Sequence, residues 1–229
     1  MYLVTSATGF EMQPFEAACL SVDRVQRLVT GIGPVEAAVR LFSRLHDHTG
    51  QVKGIINFGV AGAYIQSAGR KGPQLLDICL AEKEVFGDLG ICLENHVERF
   101  TGKELNVPDS FIMDKGLHEQ AGTVLDSLDI PYYSGTFVTV NCASGTAVRG
   151  TLLAEQYNGI CENMEGAAVV RVCNEFSLPC LEVRCISNLV EDRDLNRWKL
   201  RKACRRSGEV TAQIVDYLLN RLSAVPGNV

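Results

Sequence analysis

Glu165 and Asn188 lie in one run, ENMEGAAVVRVCNEFSLPCLEVRCISN (Glu162–Asn188), and offer different chemistry. An ionised carboxylate only accepts hydrogen bonds, whereas a carboxamide both donates and accepts. Together such groups can grip a small polar molecule. Glu165 opens a predicted helix whose apolar face runs Ala168, Val169, Val172, Cys173 and Phe176, close to amphipathic spacing. A turn containing Pro179 then leads into a strand, Cys180–Ile186, read as stopping at the polar Ser187-Asn188. Ligands of open α/β sheets gather at the carboxyl ends of strands. The two side chains are therefore expected to face one pocket. Failing that, Glu165 only favours the positive end of the helix dipole, and Asn188 only makes a turn.

The elements around this unit alternate. Met1–Ala7 reads as a first strand and Arg24–Gly31 as a second. Pro34 opens a helix reaching about His46, since proline is tolerated at a helix start. Val52–Phe58 is a continuous apolar run before Gly59, the pattern of a strand buried on both faces. Strands are also expected at Leu75–Phe86, Ile91–Glu94 and Tyr132–Val140. Helices are expected at Lys115–Leu128, Thr146–Gln156 and Leu195–Leu222, with a loop at Thr101–Pro108. This order predicts an α/β fold, a three-layer α/β/α sandwich around a mixed central sheet. Residues 1–229 show no linker or repeat and are read as one domain. Four strand ends carry small or polar residues: Ser6–Glu11, Asn57–Ala63, Asn141–Gly145 and Ser187–Asp192. Converging at one edge, they would build a pocket in which Gly59 and Gly62 let a flat ligand approach the main chain.

Bulk properties narrow the function. The 229 residues are 46% hydrophobic and 21% charged, an ordinary globular balance. A net charge of −5 argues against nucleic-acid and anionic-membrane binding. No basic leader and no long apolar run is visible, so a cytoplasmic protein is expected. The nine cysteines lack metal-ligand or disulfide-framework spacing. Cys79, Cys92, Cys142, Cys173 and Cys185 read as small buried hydrophobes. His46-Asp47-His48 lies at a helix end, where solvated histidines are commoner than ligands, so no metal is expected. Gly31-Ile32-Gly33 and Gly59–Gly62 lack the Walker lysine and the full dinucleotide pattern, which removes nucleotide cofactors.

The order of TGIGPVEAA, NFGVAGAY, ENMEGAAVVRVC and EVRCISN resembles the purine nucleoside phosphorylase and nucleosidase superfamily, over nearly the whole chain. It is closest to the hydrolytic branch that cleaves methylthioadenosine and S-adenosylhomocysteine. Within that branch, ISNLVEDRDLNRWKL is similar to the segment found in futalosine hydrolases, which serve menaquinone synthesis. The resemblance implies N-ribosidic cleavage through an oxocarbenium-like sugar, with water as nucleophile and no cofactor. It implies Glu165 as the acceptor of the ribose hydroxyls beside the developing cation, and Glu11 as the base that activates water. Asn163, Met164, Val60, Ala61, Gly62 and Asn141 are implied as substrate contacts. Pockets bordering a contact between copies of the chain, in a homodimer or larger assembly, are implied too.

Departures from the pattern carry information. Asn188 stands where adenine-cleaving relatives have Asp. A 6-oxopurine shows two acceptors, N7 and O6, where adenine shows an acceptor and a donor. An Asn amide can serve both acceptors, so hypoxanthine is the expected base. Val60 replaces a common Ser, and Asn141-Cys142-Ala143 replaces an aromatic-bearing stretch. That leaves Phe58, Tyr64 and Phe86 as unranked stacking candidates. The basic run Glu191–Arg206, with the single tryptophan Trp198, suggests that Arg193 or Arg197 holds the carboxylate of a substrate tail. Two enzymatic alternatives remain, an adenine-type nucleosidase and a phosphorylase. Against the latter, Ala7-Thr8-Gly9-Phe10-Glu11 replaces a Gly-Asp-Pro-x-Arg phosphate loop with an anion. A non-catalytic purine-binding protein is the third reading, and it leaves the two glutamates unexplained.

Overall fold

Leu3 and Val4, like Ile55 and Ile56, are neighbours in sequence but belong to different hydrophobic cores. Successive strand residues point to opposite faces, so this alternation places one core on each side of a sheet. The computed structural model describes residues 1–48, 50, 52–65, 71–100 and 107–224. Its strands are β1 (Tyr2–Ser6), β2 (Gln26–Val29), β3 (Gly54–Tyr64), β4 (Ile78–Phe86), β5 (Ile91–Cys92), β6 (Val97–Glu98), β7 (Ser110–Ile112), β8 (Tyr132–Thr139), β9 (Gly159–Asn163) and β10 (Cys180–Val190). Its helices are α1 (Gly9–Ala18), α2 (Pro34–His48), α3 (Lys115–Ser127), α4 (Ala147–Tyr157), α5 (Gly166–Glu175) and α6 (Leu200–Ala224). Phe15 of α1, Leu125 of α3 and Ile214 of α6 cover one face of the sheet. Leu41 of α2 and Val169 of α5 cover the other. This is the layered α/β arrangement expected from the sequence.

The sheet is mixed, and part of it closes on itself. β3 pairs parallel with β1 and β10 and antiparallel with β9. β10 pairs with β4, β4 with β8, and β8 with β9, which returns to β3. Closure leaves no free edge within that ring and gathers the ends of β3, β9 and β10 around one point. β5 and β6 form a separate hairpin.

Several sequence expectations are corrected. β3 does not stop at Phe58, and β10 does not stop at Ile186. Both run on, with pairing that reaches Tyr64 and Val190. Gly59 and Ser187-Asn188 look like breaks in a hydrophobic run, but the backbone ladder continues through them. A one-residue register shift between Ile186 and Asn188 is the only local disturbance in that ladder, the kind of irregularity that re-aims a side chain near a site. Helix α1 replaces what reads as a polar strand end. Thr8 caps it through a capping box with Glu11, the Thr-x-x-Glu signature. Pro14 inside the helix obscures that signal.

Strand β9 is also absent from the sequence reading, because Glu162-Asn163 interrupts a run of only five residues. The last helix starts at Leu200, after a 3-10 turn at Leu195–Arg197 capped by the Asp194 side chain. Cys79, Cys173 and Cys185 are buried, but Cys92 and Cys142 are exposed. Cys92 lies on the small surface hairpin and Cys142 beyond the end of β8, where neither has a core to enter. Of the expected loop Thr101–Pro108, residues 101–106 lie outside the described residues.

Candidate functional site

A cavity of about 370 Å³ lies where β1, β3, β9 and β10 deliver their ends. No helix among the described residues is long and apolar enough to cross a membrane.

Glu11 reaches this cavity because of the way α1 is capped. Its Oε2 accepts from the Thr8 backbone N–H at 3.0 Å and from the Thr8 hydroxyl at 2.9 Å. Its Oε1 accepts from the Val60 N–H at 3.2 Å. The side chain is therefore locked to both the helix start and β3. Gly59 makes room for it. A β carbon there would stand 2.6 Å from Glu11 Oε1 and 2.8 Å from Arg184 Nη1. Burial pushes the Glu11 carboxyl above its usual range, with the Glu165 charge acting in the same direction. Arg184 and the Thr8 hydrogen bond resist the rise. A carboxylate whose pKa is raised is a stronger base than an ordinary one, which suits proton abstraction.

Glu165 is the residue before the first turn of α5, and its side chain does not cap the helix. Instead Oε1 accepts from the Gly33 N–H at 3.0 Å. That donor is presented by the turn at Gly31 and Gly33, which have φ of +87° and +91°, a left-handed region that favours glycine. Glu165 Oε2 lies 3.5 Å from both Nη1 and Nη2 of Arg184. The first turn of α5 is itself secured by Asn163, whose Oδ1 accepts from the N–H groups of Glu165 and Gly166.

Arg184 is 2% exposed and organises the acids. Its Nε donates to Glu182 Oε1 at 2.8 Å, and its Nη1 donates to the Val60 carbonyl at 3.2 Å. Burial would lower its pKa, but Glu182, Glu165 and Glu11 more than offset this and raise it. Behind it, Glu84 accepts from the Thr139 hydroxyl and from the Asn163 amide. Burial, and then the neighbouring Glu182, drive the Glu84 carboxyl well above its usual range. The same burial raises Glu182, but its ion pair with Arg184 opposes the rise, so of the two it is Glu84 that is pushed further towards its protonated form. Gly166 is wedged between them, for a β carbon there would lie 2.1 Å from Glu84 Oε1 and 2.5 Å from Glu182 Oε2.

Asn188 faces the cavity from β10. Its Oδ1 accepts from the Ser187 hydroxyl at 2.8 Å, and its Nδ2 donates to the Leu189 carbonyl at 3.3 Å. Glu11, Glu165 and Asn188 thus line one cavity, together with Val60, Ala61, Gly62, Asn163 and Met164. Three sequence candidates do not. Asn141 is exposed, and its N–H and amide both donate to Asp88. Arg197 donates to Glu191 at 2.8 Å on the surface. Arg193 is exposed and sits 5.6 Å from the ring of Trp198, which does line the cavity. The stacking candidates fail as well, since Phe58 packs on Phe15 in the core and Phe86 on Phe111, and Tyr64 is buried in a third core with Val138. The aromatic groups at the cavity are Phe10 and Trp198.

Two charged lining residues escape the sequence reading, Arg184 and Glu162, whereas Ser144 and Ser187 lie in strand ends expected to build the pocket. For Arg184 the signal exists. Glu182 and Arg184 alternate with Leu181, Val183 and Cys185 in one strand, so both charges share a face. For Glu162 no local signal exists, because β9 itself is not legible.

Comparison with known proteins identifies the family and the fold. Residues 15–220 match the model of the phosphorylase superfamily. A futalosine hydrolase of Thermus thermophilus is 32% identical, over 77% of this chain and 74% of that one. A 5'-methylthioadenosine/S-adenosylhomocysteine nucleosidase of Staphylococcus saprophyticus is 25% identical, over 84% of this chain and 80% of that one. Among solved structures, a futalosine hydrolase mutant of Helicobacter pylori superposes with a TM-score of 0.80 at 19% identity, covering 94% of this chain and 98% of the other. The 5'-methylthioadenosine/S-adenosylhomocysteine nucleosidase of the same organism with butyl-thio-DADMe-Immucillin-A also gives 0.80, at 18% identity, covering 94% and 97%. At such identities the structural likeness concerns the fold.

Proposed function

The chain belongs to the phosphorylase superfamily, and we propose that it hydrolyses the N-ribosidic bond of futalosine to release hypoxanthine, a step of menaquinone biosynthesis. It is an N-glycosyl hydrolase, the activity for which its relatives are named. The observation that carries the choice of water is the pair of buried carboxylates, Glu11 and Glu165, which share the cavity with Arg184 as their charge partner. A phosphate nucleophile carries about two negative charges and needs free cationic partners. Here the buried guanidinium already answers Glu182 and Glu165. Phosphate would meet two acids instead.

In this reading Glu11 removes a proton from water as it attacks the anomeric carbon. Glu165 accepts from the ribose hydroxyls and places negative charge beside the oxocarbenium-like sugar. Arg184 and the Gly33 N–H orient Glu165, while Thr8 and the Val60 N–H orient Glu11. Asn188 donates to N7 and O6 of the departing base. Phe10 and Trp198 supply the apolar walls. The exposed apolar stripe Val35, Val39 and Phe42 of α2, which follows the cavity-lining Ile32 in the chain, is the surface through which we expect two copies to associate.

The test is product release from futalosine and from methylthioadenosine, each with and without phosphate. Hypoxanthine should appear from futalosine at the same rate in both buffers. A phosphate requirement would turn the enzyme into a phosphorylase. Faster release of adenine from methylthioadenosine would support the adenine-type alternative, which the relationship to that nucleosidase favours.

A further inference from the structure

Asn188 and Glu162 occupy one rung of the sheet, on either side of Gly62. In the register of β10, β3 and β9, Asn188 pairs with Gly62 and Gly62 pairs with Glu162. Paired residues on neighbouring strands project from the same face. With no side chain at Gly62, a gap opens between the outer two. A β carbon there would meet Asn188 Nδ2 at 3.0 Å and Glu162 Cγ at 3.6 Å.

Glu162 is 5% exposed, lines the cavity, and lies within ion-pair distance of no Lys or Arg among the described residues. Its hydrogen bonds come from Ser144, and Arg149 is the cation whose charge reaches it from beyond ion-pair distance. Oε1 accepts from the Ser144 N–H and Oε2 from the Ser144 hydroxyl, each at 2.7 Å. Each oxygen keeps a second lone pair. Burying a carboxylate is costly. Burial pushes the Glu162 carboxyl above its usual range, while Ser144, Tyr64 and the Arg149 charge resist the rise, and the proposed mechanism gives this residue no task.

We propose that Glu162 reads the base, accepting the lactam N1–H of a 6-oxopurine while Asn188 serves N7 and O6. The inference rests on the 6-oxopurine reading given above. Along one edge, hypoxanthine presents acceptor, acceptor and then donor, at N7, O6 and N1–H. The amide-then-carboxylate order across Gly62 complements that edge. Adenine presents acceptor, donor and acceptor, which would set its bare N1 against Glu162. The residue therefore both selects hypoxanthine and rejects adenine. Ser144 holds the carboxylate in place as a positioning residue.

The experiment compares kcat/KM for futalosine and for its N1-methyl derivative, in the wild-type enzyme and in Glu162→Gln. A hydrogen bond to a charged group corresponds to about 10- to 100-fold. Wild type should disfavour the methylated nucleoside by at least about 10-fold, and Glu162→Gln should narrow that ratio towards unity. The ratio is internal to each enzyme preparation, so a poorly folded variant would not mimic the result. Equal wild-type cleavage of both nucleosides would overturn the role of Glu162 and leave futalosine hydrolysis intact. An undiminished ratio in the variant would do the same. Absence of futalosine cleavage by wild type would overturn the substrate reading itself, and this inference with it.

Discussion

Glu182 and Arg184, two residues apart on β10, turn to the same face of the strand and meet at 2.8 Å with almost no exposure to solvent. This contact fixes the guanidinium from behind, so that its other nitrogens approach Glu165 and the Val60 carbonyl. The cavity acids are thus held by a cation that is itself held. Replacing Arg184 with Gln should strand buried carboxylates without a partner. Losing one member of a buried ion pair costs about 3–5 kcal/mol. Denaturant unfolding at neutral pH should show a loss of that order, with part of it recovered at acid pH, where the carboxylates take up protons. Unchanged stability would mean that the acids in the fold are already neutral.

Glu165→Gln and Glu11→Gln separate chemistry from folding. Gln at position 11 can still close the capping box with Thr8, because that motif accepts Glu or Gln. At position 165 the amide oxygen can still accept from the Gly33 N–H. Thermal midpoints should therefore stay near wild type while kcat falls about 10²- to 10⁴-fold in each variant. Turnover close to wild type in either would remove that residue from the reaction.

Glu84 gives the fold a pH dependence of unusual sign. Its folded-state pKa is raised, first by burial and then by Glu182. A raised carboxyl binds its proton more tightly in the native state than in the unfolded chain. Its contribution is thus complete below the ordinary carboxylate pKa and declines as pH rises towards the folded value. Unfolding free energy measured across that window should fall with pH more steeply in wild type than in Glu84→Gln, which carries no titrating proton. Parallel curves would show that Glu84 does not hold its proton in the folded protein.

The elements that carry these groups differ in how visible they are in the sequence. Glu165 and α5 are legible because a strong amphipathic period follows the acid. Asn188 is legible as a site residue but not as a strand residue. The apolar run ends before it, whereas the backbone pairing of β10 with β3 does not. Glu11 could be assigned only by resemblance, although Thr8 and Glu11 also carry a local capping signal that Pro14 masks. Glu162 and Ser144 meet through the fold alone, one on β9 and the other in the segment after β8. Such pairs depend on register between strands, which local periodicity does not encode.

The two arginines expected to meet the tail of the substrate differ in where they stand. Arg197 is engaged by Glu191 outside the cavity, whereas Arg193 lies over Trp198, which lines it. Of the two arginines, Arg193 is the one placed to meet an aryl carboxylate that stacks on Trp198. Arg193→Ala should raise KM for futalosine several-fold and leave inosine, which lacks the tail, unaffected, while Arg197→Ala should change neither. Equal effects on the two nucleosides would assign Arg193 to the surface.

Asn188→Asp should move base preference towards adenine, but incompletely. An ionised Asp can accept from the 6-amino group and a protonated one can donate to N7, whereas towards O6 the ionised form is repulsive. Futalosine cleavage should fall about 10- to 100-fold, the range for one charge-assisted hydrogen bond exchanged for a repulsion. The gain on methylthioadenosine should remain small, because Glu162 still confronts adenine N1 across Gly62. Adding Glu162→Gln removes that obstacle, since Gln can donate to N1. The double variant should therefore gain more activity on methylthioadenosine than the sum of the single effects predicts. Residues that share one ligand couple in this way. Strict additivity in that cycle would mean that Asn188 and Glu162 do not touch the same base.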